Sequence, residues 1–285
     1  MNDYAVVIVT YRSREHLARL LEELQAAQIV VVDTGPDDGA AALAAKRGAI
    51  VIVRRDNPGF GAANNLGLEA VSEEITVLLN PDTRDVQPLP ALARRARDPG
   101  LHAPRLRNPD GTIQRSAHPL PGTLGAFLPA VLPWLPRPLR HRAEPYRAPT
   151  TRTVGWAIAA CLAARTDTLR QLGPFDPSIH LYAEDMDLCL RARNAGMPTI
   201  YHPDLAITHV GGHSVQDEPF DLLARQRRDV IRARRGAAAQ RADDAAQLLT
   251  FATRAAVKRP NDRERAQLNA LLKAARPGFK PGPRR

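Results

Sequence analysis

Ile75-Thr76-Val77-Leu78-Leu79-Asn80-Pro81-Asp82 is the stretch on which the reading of this 285-residue chain turns. Its first five residues run without polar alternation, as in a strand covered on both faces. Asn-Pro-Asp is a turn sequence, and here it delivers a carboxylate to the carboxyl end of that strand. The pattern repeats upstream in Ala5-Val6-Val7-Ile8-Val9-Thr10, in Ile29-Val30-Val31-Val32-Asp33 and in Ala49-Ile50-Val51-Ile52-Val53-Arg54. Between these runs lie an amphipathic helix carrying Leu17, Leu20, Leu21 and Leu24, a short helix over 40–45, and a helix over about 62–70. Strands alternating with helices through short connections predict an α/β fold with a mostly parallel central sheet flanked by helices. Ligands of such sheets lie beyond the carboxyl ends of the strands. Thr10, Tyr11, Asp33, Arg54, Asn80 and Asp82 all fall there.

Downstream the character changes. Residues 81–149 hold many of the 25 prolines, and 120–149 read as a long loop. Phe127, Leu128, Val131, Leu132, Trp134 and Leu135 make it more apolar than a solvated linker. Packing on the body is the expectation for this loop, with cover over an acceptor site or contact with lipid as the alternatives. Residues 154–164 form another buried strand candidate. Then comes Tyr182-Ala183-Glu184-Asp185-Met186-Asp187-Leu188, three carboxylates opening a helix that stops at Gly196. Acidic groups in a first turn suit the helix dipole, so position alone does not make them catalytic. Strand-like runs at 199–202 and 206–209 follow. From about residue 219 the pattern is helical, with a capping-box candidate at Asn261 and Glu264.

The net charge of +10 is uneven: residues 225–285 hold seventeen Lys/Arg against five Asp/Glu. A basic tail of this kind attracts an anionic membrane face or another polyanion. It carries few aromatics, so nucleic acid is not expected. Cys161 and Cys189 sit in apolar runs and read as buried free thiols. Residues 124–135, the longest apolar stretch, are too short and proline-rich to span a bilayer. No basic region precedes an apolar segment at the N-terminus. The expected location is cytoplasmic, peripheral on the inner face of the plasma membrane.

Three further motifs bear on chemistry. Asn57-Pro58-Gly59-Phe60-Gly61-Ala62-Ala63-Asn64 places glycines at a helix start, where backbone N–H groups approach an anion. It is neither a dinucleotide fingerprint nor a Walker loop. Asp82 beside Thr83 suits a divalent metal completed by phosphate and water. His209-Val210-Gly211-Gly212-His213-Ser214 is a glycine turn that presents His209 to a metal or phosphate.

Together these motifs, in order over about residues 4–215, resemble the family-2 inverting glycosyltransferases of GT-A fold, particularly bacterial rhamnosyltransferase-like members. The resemblance implies a domain over 1–218, including the loop 115–152, and leaves 219–285 as a basic helical extension. It implies that Thr10, Tyr11, Asp33, Arg54, Asn57, Gly59, Gly61, Asn64, Asn80 and Asp82 line a site for a dTDP- or UDP-sugar. Asp82 and His209 would hold Mg2+ or Mn2+ on the diphosphate. Asp185 would be the general base, with Glu184 beside it. The acceptor would be a cell-envelope glycan or polyprenyl-linked precursor. Two departures stand out: Asp33-Thr34-Gly35-Pro36 replaces the usual Asp-Asn-Gly-Ser, and Asn80 stands at the first position of the DxD-like element. Competing readings are a sugar-nucleotide nucleotidyltransferase and a nucleic-acid or membrane-binding module acting through the tail. The first lacks the basic glycine-rich loop after strand one.

Overall fold

The computed structural model describes residues 3–130, 144–173, 175–211 and 222–257, together with Arg265, Leu268, Asn269, Leu271 and Leu272. Pro174, Gly212, His213, Ser214, Asn261 and Glu264 lie outside the described residues. The chain divides into two compact units, residues 1–119 with 144–216 and residues 120–143 with 217–285.

The first unit is built on a nine-stranded sheet. Strands β1 (Ala5–Thr10), β2 (Gln28–Asp33), β3 (Ile50–Val53) and β4 (Ile75–Leu79) run parallel in the order β3-β2-β1-β4. Helices α1 (Arg14–Glu23), α2 (Ala40–Lys46) and α3 (Phe60–Glu69) join them. The lack of polar alternation in β1 and β4 has its cause in two-sided burial. Val6, Ile8, Val77 and Leu79 enter one core with Leu17, Leu20 and Leu21 of α1. Ala5, Val7 and Leu78 enter another on the opposite face. Successive side chains of a strand point to opposite faces, so a strand covered on both sides favours apolar residues on both. The polar Thr76 of β4 is paired internally with the Thr166 hydroxyl at 2.8 Å.

Beyond β4 the sheet becomes mixed. Short β5 (Thr83–Arg84), helix α4 (Leu89–Arg95) and β6 (Leu101–Arg107) come first. The strand expected over 154–164 is three pieces: β8 (Arg152–Val154), β9 (Trp156–Ala157) and β10 (Cys161–Arg165). The break arises because β9 leaves the main sheet to pair with β7 (Ala117–His118). Gly155 N donates to His118 O and Ile158 N to Ser116 O. Strand β10 then inserts antiparallel between β4 and β6. Helices α6 (Thr166–Gln171) and α7 (Glu184–Asn194) lead to β11 (Thr199–His209), which pairs parallel with β6. What reads as two short runs in sequence is one strand with an irregularity between His202 and Ala206. Both cysteines are buried free thiols, as expected.

The second unit contains α5 (Leu124–Phe127) and α8 (Leu222–Val257), which contact one another. The sequence placed 115–152 with the catalytic body; residues 120–143 group instead with 217–285. Gly122 accounts for part of this: a Cβ there would come within 2.5 Å of Ala239 O, so only glycine admits the approach. Helix α8 is broken at Gly236, with φ 87°. Arg227 meets Asp243 through two 2.8 Å hydrogen bonds although sixteen residues separate them. A straight helix would hold them roughly 24 Å apart, so the chain reverses at Gly236. Among the described residues no helix is long and apolar enough to cross a membrane.

Candidate active site

Parallel pairing sets the first corner of the site. Thr10 and Asp33 are register partners at the carboxyl ends of β1 and β2. Both are fully buried. Thr10 Oγ1 donates to Asp33 Oδ1 at 2.9 Å, and Arg55 Nη1 donates to Asp33 Oδ2 at 2.7 Å. Thr10 O accepts from both the N–H and the hydroxyl of Thr34. Gly35 lies so close to Arg12 N that a Cβ would sit 2.9 Å away, which lets the two strand-end loops touch. Tyr11 is half-buried, with the Arg12 guanidinium 5.5 Å from its ring centroid.

Arg54, the basic residue expected here, pairs instead with Asp56 in an exposed bidentate contact. The residue that reaches Asp33 is Arg55, which sequence reasoning missed. Strand periodicity carried the signal. Val53 is the register partner of Asp33, so the shared face continues to residue 55 and skips 54.

The second corner is the start of α3. Asn57 and Gly59 both have positive φ, 42° and 95°. A Cβ on Gly59 would lie 2.5 Å from His180 O, so this glycine admits the chain that leads to α7. Gly61 and Asn64 have internal partners. A Cβ at Gly61 would meet Phe175 at 2.7 Å, and Asn64 Nδ2 donates to Phe60 O of its own helix. The neighbouring Asn65 clamps Phe175, donating to its carbonyl and accepting from its N–H, each at 2.8 Å. Thus Phe175 and the approach to α7 are fastened to the N-terminal half of α3.

The third corner joins β4 to the end of β11. Asp82 Oδ2 accepts from Gly211 N at 2.8 Å, and its Oδ1 lies 3.4 Å from His209 Nε2. Burial pushes this carboxyl up, while a protonated His209 ring and the Gly211 N–H pull it down, with a net shift below the usual carboxylate range. His209 is buried, with Nδ1 2.8 Å from Gln114 Oε1 and Nε2 3.3 Å from Asn80 Nδ2. Asn80 Oδ1 is buried without a hydrogen-bond partner. Among the described residues no group of three or more His, Cys, Asp or Glu could hold a metal. Asp82 and His209 nevertheless fit a cation such as Mg2+ or Mn2+, which completes its shell with phosphate and water. The orphaned amide oxygen beside them fits the same purpose. Gln114 was also missed. The turn Asn108-Pro109-Asp110-Gly111 is the signal that sets it across from β6.

The fourth corner is the first turn of α7. Tyr182 and Ala183 both adopt left-handed φ, 66° and 67°. Two consecutive non-glycine residues there mark stored strain. Glu184 is buried, its Oε2 lacks a hydrogen-bond partner, and burial followed by the nearby Asp185 charge pushes its carboxyl up to about 8. Asp185 is half-buried and accepts from Met186 N at 2.7 Å. Asp187 is fully committed to structure: it pairs with Arg191 at 2.8 Å, and Arg191 in turn donates to the carbonyls of Leu172 and Gly173. The three carboxylates therefore have three different environments.

The chain is similar to known glycosyltransferases. Residues 5–128 match the family described as Glycosyl transferase family 2. An N-acetylglucosaminyl-diphospho-decaprenol L-rhamnosyltransferase of Mycobacterium tuberculosis is 29% identical over 248 residues, 77% of this chain and 80% of that protein. A mannosyltransferase from Pyrobaculum calidifontis, solved with GDP-Man and Mn2+, superposes with a TM-score of 0.59 at 16% identity. That match covers 96% of this chain and 81% of the other. Glucosyl-3-phosphoglycerate synthase from M. tuberculosis, solved with Mn2+, UDP and glucosyl-3-phosphoglycerate, gives 0.52 at 18% identity, covering 82% and 80%. The fold is that of the GT-A glycosyltransferases.

Proposed function

We propose that this chain, whose residues 5–128 match Glycosyl transferase family 2, is a glycosyltransferase that inverts the anomeric carbon of a nucleotide-diphospho-sugar. Rhamnose or another hexose would pass from a dTDP- or UDP-sugar to a lipid-linked or glycan acceptor of the cell envelope. The rhamnosyltransferase relative, whose name specifies a decaprenol-linked diphosphate sugar, supports that acceptor class.

The observation that carries the mechanism is the contact of Gly59 with His180. It seats the approach to Asp185 on the α3 N-terminus, while Asp82 belongs to a different strand end. A base and a diphosphate site on separate elements are what an in-line displacement requires. Thr10, Asp33 and Tyr11 hold the nucleoside. Asp82 and His209 would hold a divalent cation at the diphosphate end, and that cation would neutralise charge on the leaving group as a Lewis acid. The Asp185 carboxylate takes the acceptor hydroxyl proton as that oxygen bonds to the anomeric carbon. The bond from that carbon to the diphosphate oxygen breaks, and nucleoside diphosphate leaves. Glu184, held neutral by burial, offers a proton-bearing oxygen to a bound hydroxyl.

The second unit supports a peripheral membrane role. Leu124 is 87% exposed, and the basic excess lies in the same unit. Sedimentation with phosphatidylglycerol vesicles, lost in high salt, is the expected behaviour. For the activity itself, nucleotide-sugars are screened with Mn2+ for thermal stabilisation and for hydrolysis. Stabilisation by dTDP- or UDP-sugars is expected. No response to any nucleotide-sugar would overturn the reading.

A further inference from the structure

The turn after β6 carries a chain of hydrogen bonds whose direction is set from one end. Asp110 Oδ1 accepts from Thr112 N at 2.9 Å and from Thr112 Oγ1 at 2.6 Å. A carboxylate can only accept, so the Thr112 hydroxyl proton is committed to it. Thr112 Oγ1 is left as an acceptor for Asn108 Nδ2 at 2.9 Å. That turns Asn108 Oδ1 toward Gln114 Nε2, 3.1 Å away. Gln114 Oε1 is then the atom that faces His209 Nδ1 at 2.8 Å, and an amide oxygen there requires a proton on Nδ1. The turn itself is locally fixed: Asn108 O accepts from Gly111 N, Gly111 has φ 79°, and Gln114 N donates to Leu106 O of β6.

We propose that Gln114 is a positioning residue that keeps the His209 proton on Nδ1 and turns the Nε2 lone pair toward Asp82 and Asn80, where a divalent cation is bound. The cation half of this statement rests on the reading of the site given above; the tautomer half does not. In the neutral ring Nε2 and Asp82 Oδ1 are two acceptors 3.4 Å apart, with Asn80 Nδ2 the neighbouring donor 3.3 Å from Nε2. The two facing acceptors, His209 Nε2 and Asp82 Oδ1, are the pair that a divalent cation would satisfy together. A histidine ligand whose other nitrogen donates to a fixed oxygen is oriented and made more basic, and losing such a partner typically costs about 10–100-fold in metal affinity.

Two measurements separate the halves. Long-range 15N–1H spectra of the metal-free protein, taken well above the ordinary imidazole titration range and assigned with His209→Ala, are expected to show the Nδ1–H tautomer. Gln114→Met should convert His209 to a tautomer mixture, while Gln114→Glu, which keeps the acceptor, should preserve the wild-type pattern. Calorimetry with Mn2+ and UDP should show about 10–100-fold weaker Mn2+ binding for Gln114→Met and recovery for Gln114→Glu, with UDP affinity in chelator the same in all three. A wild-type His209 protonated on Nε2, or a Gln114→Met protein with unchanged tautomer and Mn2+ affinity, would overturn the proposal. A wild-type protein with the Nδ1–H tautomer that binds no Mn2+ in the presence of UDP upholds the tautomer assignment and overturns the cation reading.

Discussion

The nucleoside end and the transfer end of the site handle burial in opposite ways. At the first, Thr10 Oγ1 and both carboxylate oxygens of Asp33 have internal partners. At the second, Asn80 Oδ1 and Glu184 Oε2 are buried with no hydrogen bond. An unsatisfied buried polar atom costs about 1–3 kcal/mol, so a fold keeps such atoms only where something else satisfies them. On the reading proposed above, a nucleoside at the first end must exchange partners with an already paired carboxylate. The transfer end is held open only in its hydrogen bonding, with two buried oxygens that hydroxyls and a cation would satisfy. Substitutions at each end test this contrast.

The largest effect belongs to Asp185. Asp185→Asn keeps the size and removes the base, so turnover should fall by about 10²–10⁴-fold, while calorimetric donor affinity stays at the wild-type value. An Asn variant with normal turnover would remove the acid–base assignment and leave the transfer end unexplained.

Next comes Glu184, through pH. Its folded carboxyl is raised to about 8, above the usual carboxylate range. The native protein therefore keeps a proton there that the unfolded chain gives up near pH 4–5. The resulting contribution to stability is fully present below that range and is lost as pH rises to about 8, by a few kcal/mol. Glu184→Gln cannot titrate, so the gap between variant and wild type should widen in the variant's favour across that window. Denaturant melts at several pH values measure it. A gap that stays constant with pH would mean Glu184 is ionised in the fold and the transfer end is not held open as described.

Asp82→Ala should follow. Removing a direct ligand should cost at least the ~10–100-fold expected of a supporting residue, read as loss of the Mn2+-dependent part of nucleotide affinity. Equal nucleotide affinity with and without Mn2+ in the wild type would place the diphosphate elsewhere.

How much of this was legible in the chain depended on whether local pattern or distant pairing decided the outcome. Two-sided burial forces apolar runs, so β1, β2 and β4 and the carboxylates at two of their ends were readable directly. The antiparallel entry of β10 was not, because the departure of β9 depends on hydrogen bonds to residues 116–118, about forty positions away. The grouping of residues 120–143 with the C-terminal segment is similarly non-local. Within the site, Asp187 carried no chemical role in the sequence, and its ion pair with Arg191 supplies the structural one that local pattern did not name. Gly61 and Asn64 fitted a nucleotide loop in sequence, yet face Phe175 and their own helix. Motif order named the candidate residues, but three-dimensional partners were needed to separate those with internal partners from those without.

The smallest effect sharpens the contrast most. Arg55 is 39% exposed as a side chain, so its pairing with the buried Asp33 is partly screened. Arg55→Ala should cost about 1 kcal/mol of stability, a few degrees in Tm, because Asp33 keeps Thr10 and loses its cation. A nucleoside bound at Asp33 supplies the missing partner. Saturating nucleotide should therefore raise the Tm of Arg55→Ala by more than it raises that of the wild type, where the ligand must first displace the guanidinium. A smaller rise in the variant would mean that Arg55 itself contacts the bound nucleotide. The nucleoside end would then be an incomplete binding site, as the transfer end is, and the two would differ only in how the fold satisfies them while empty.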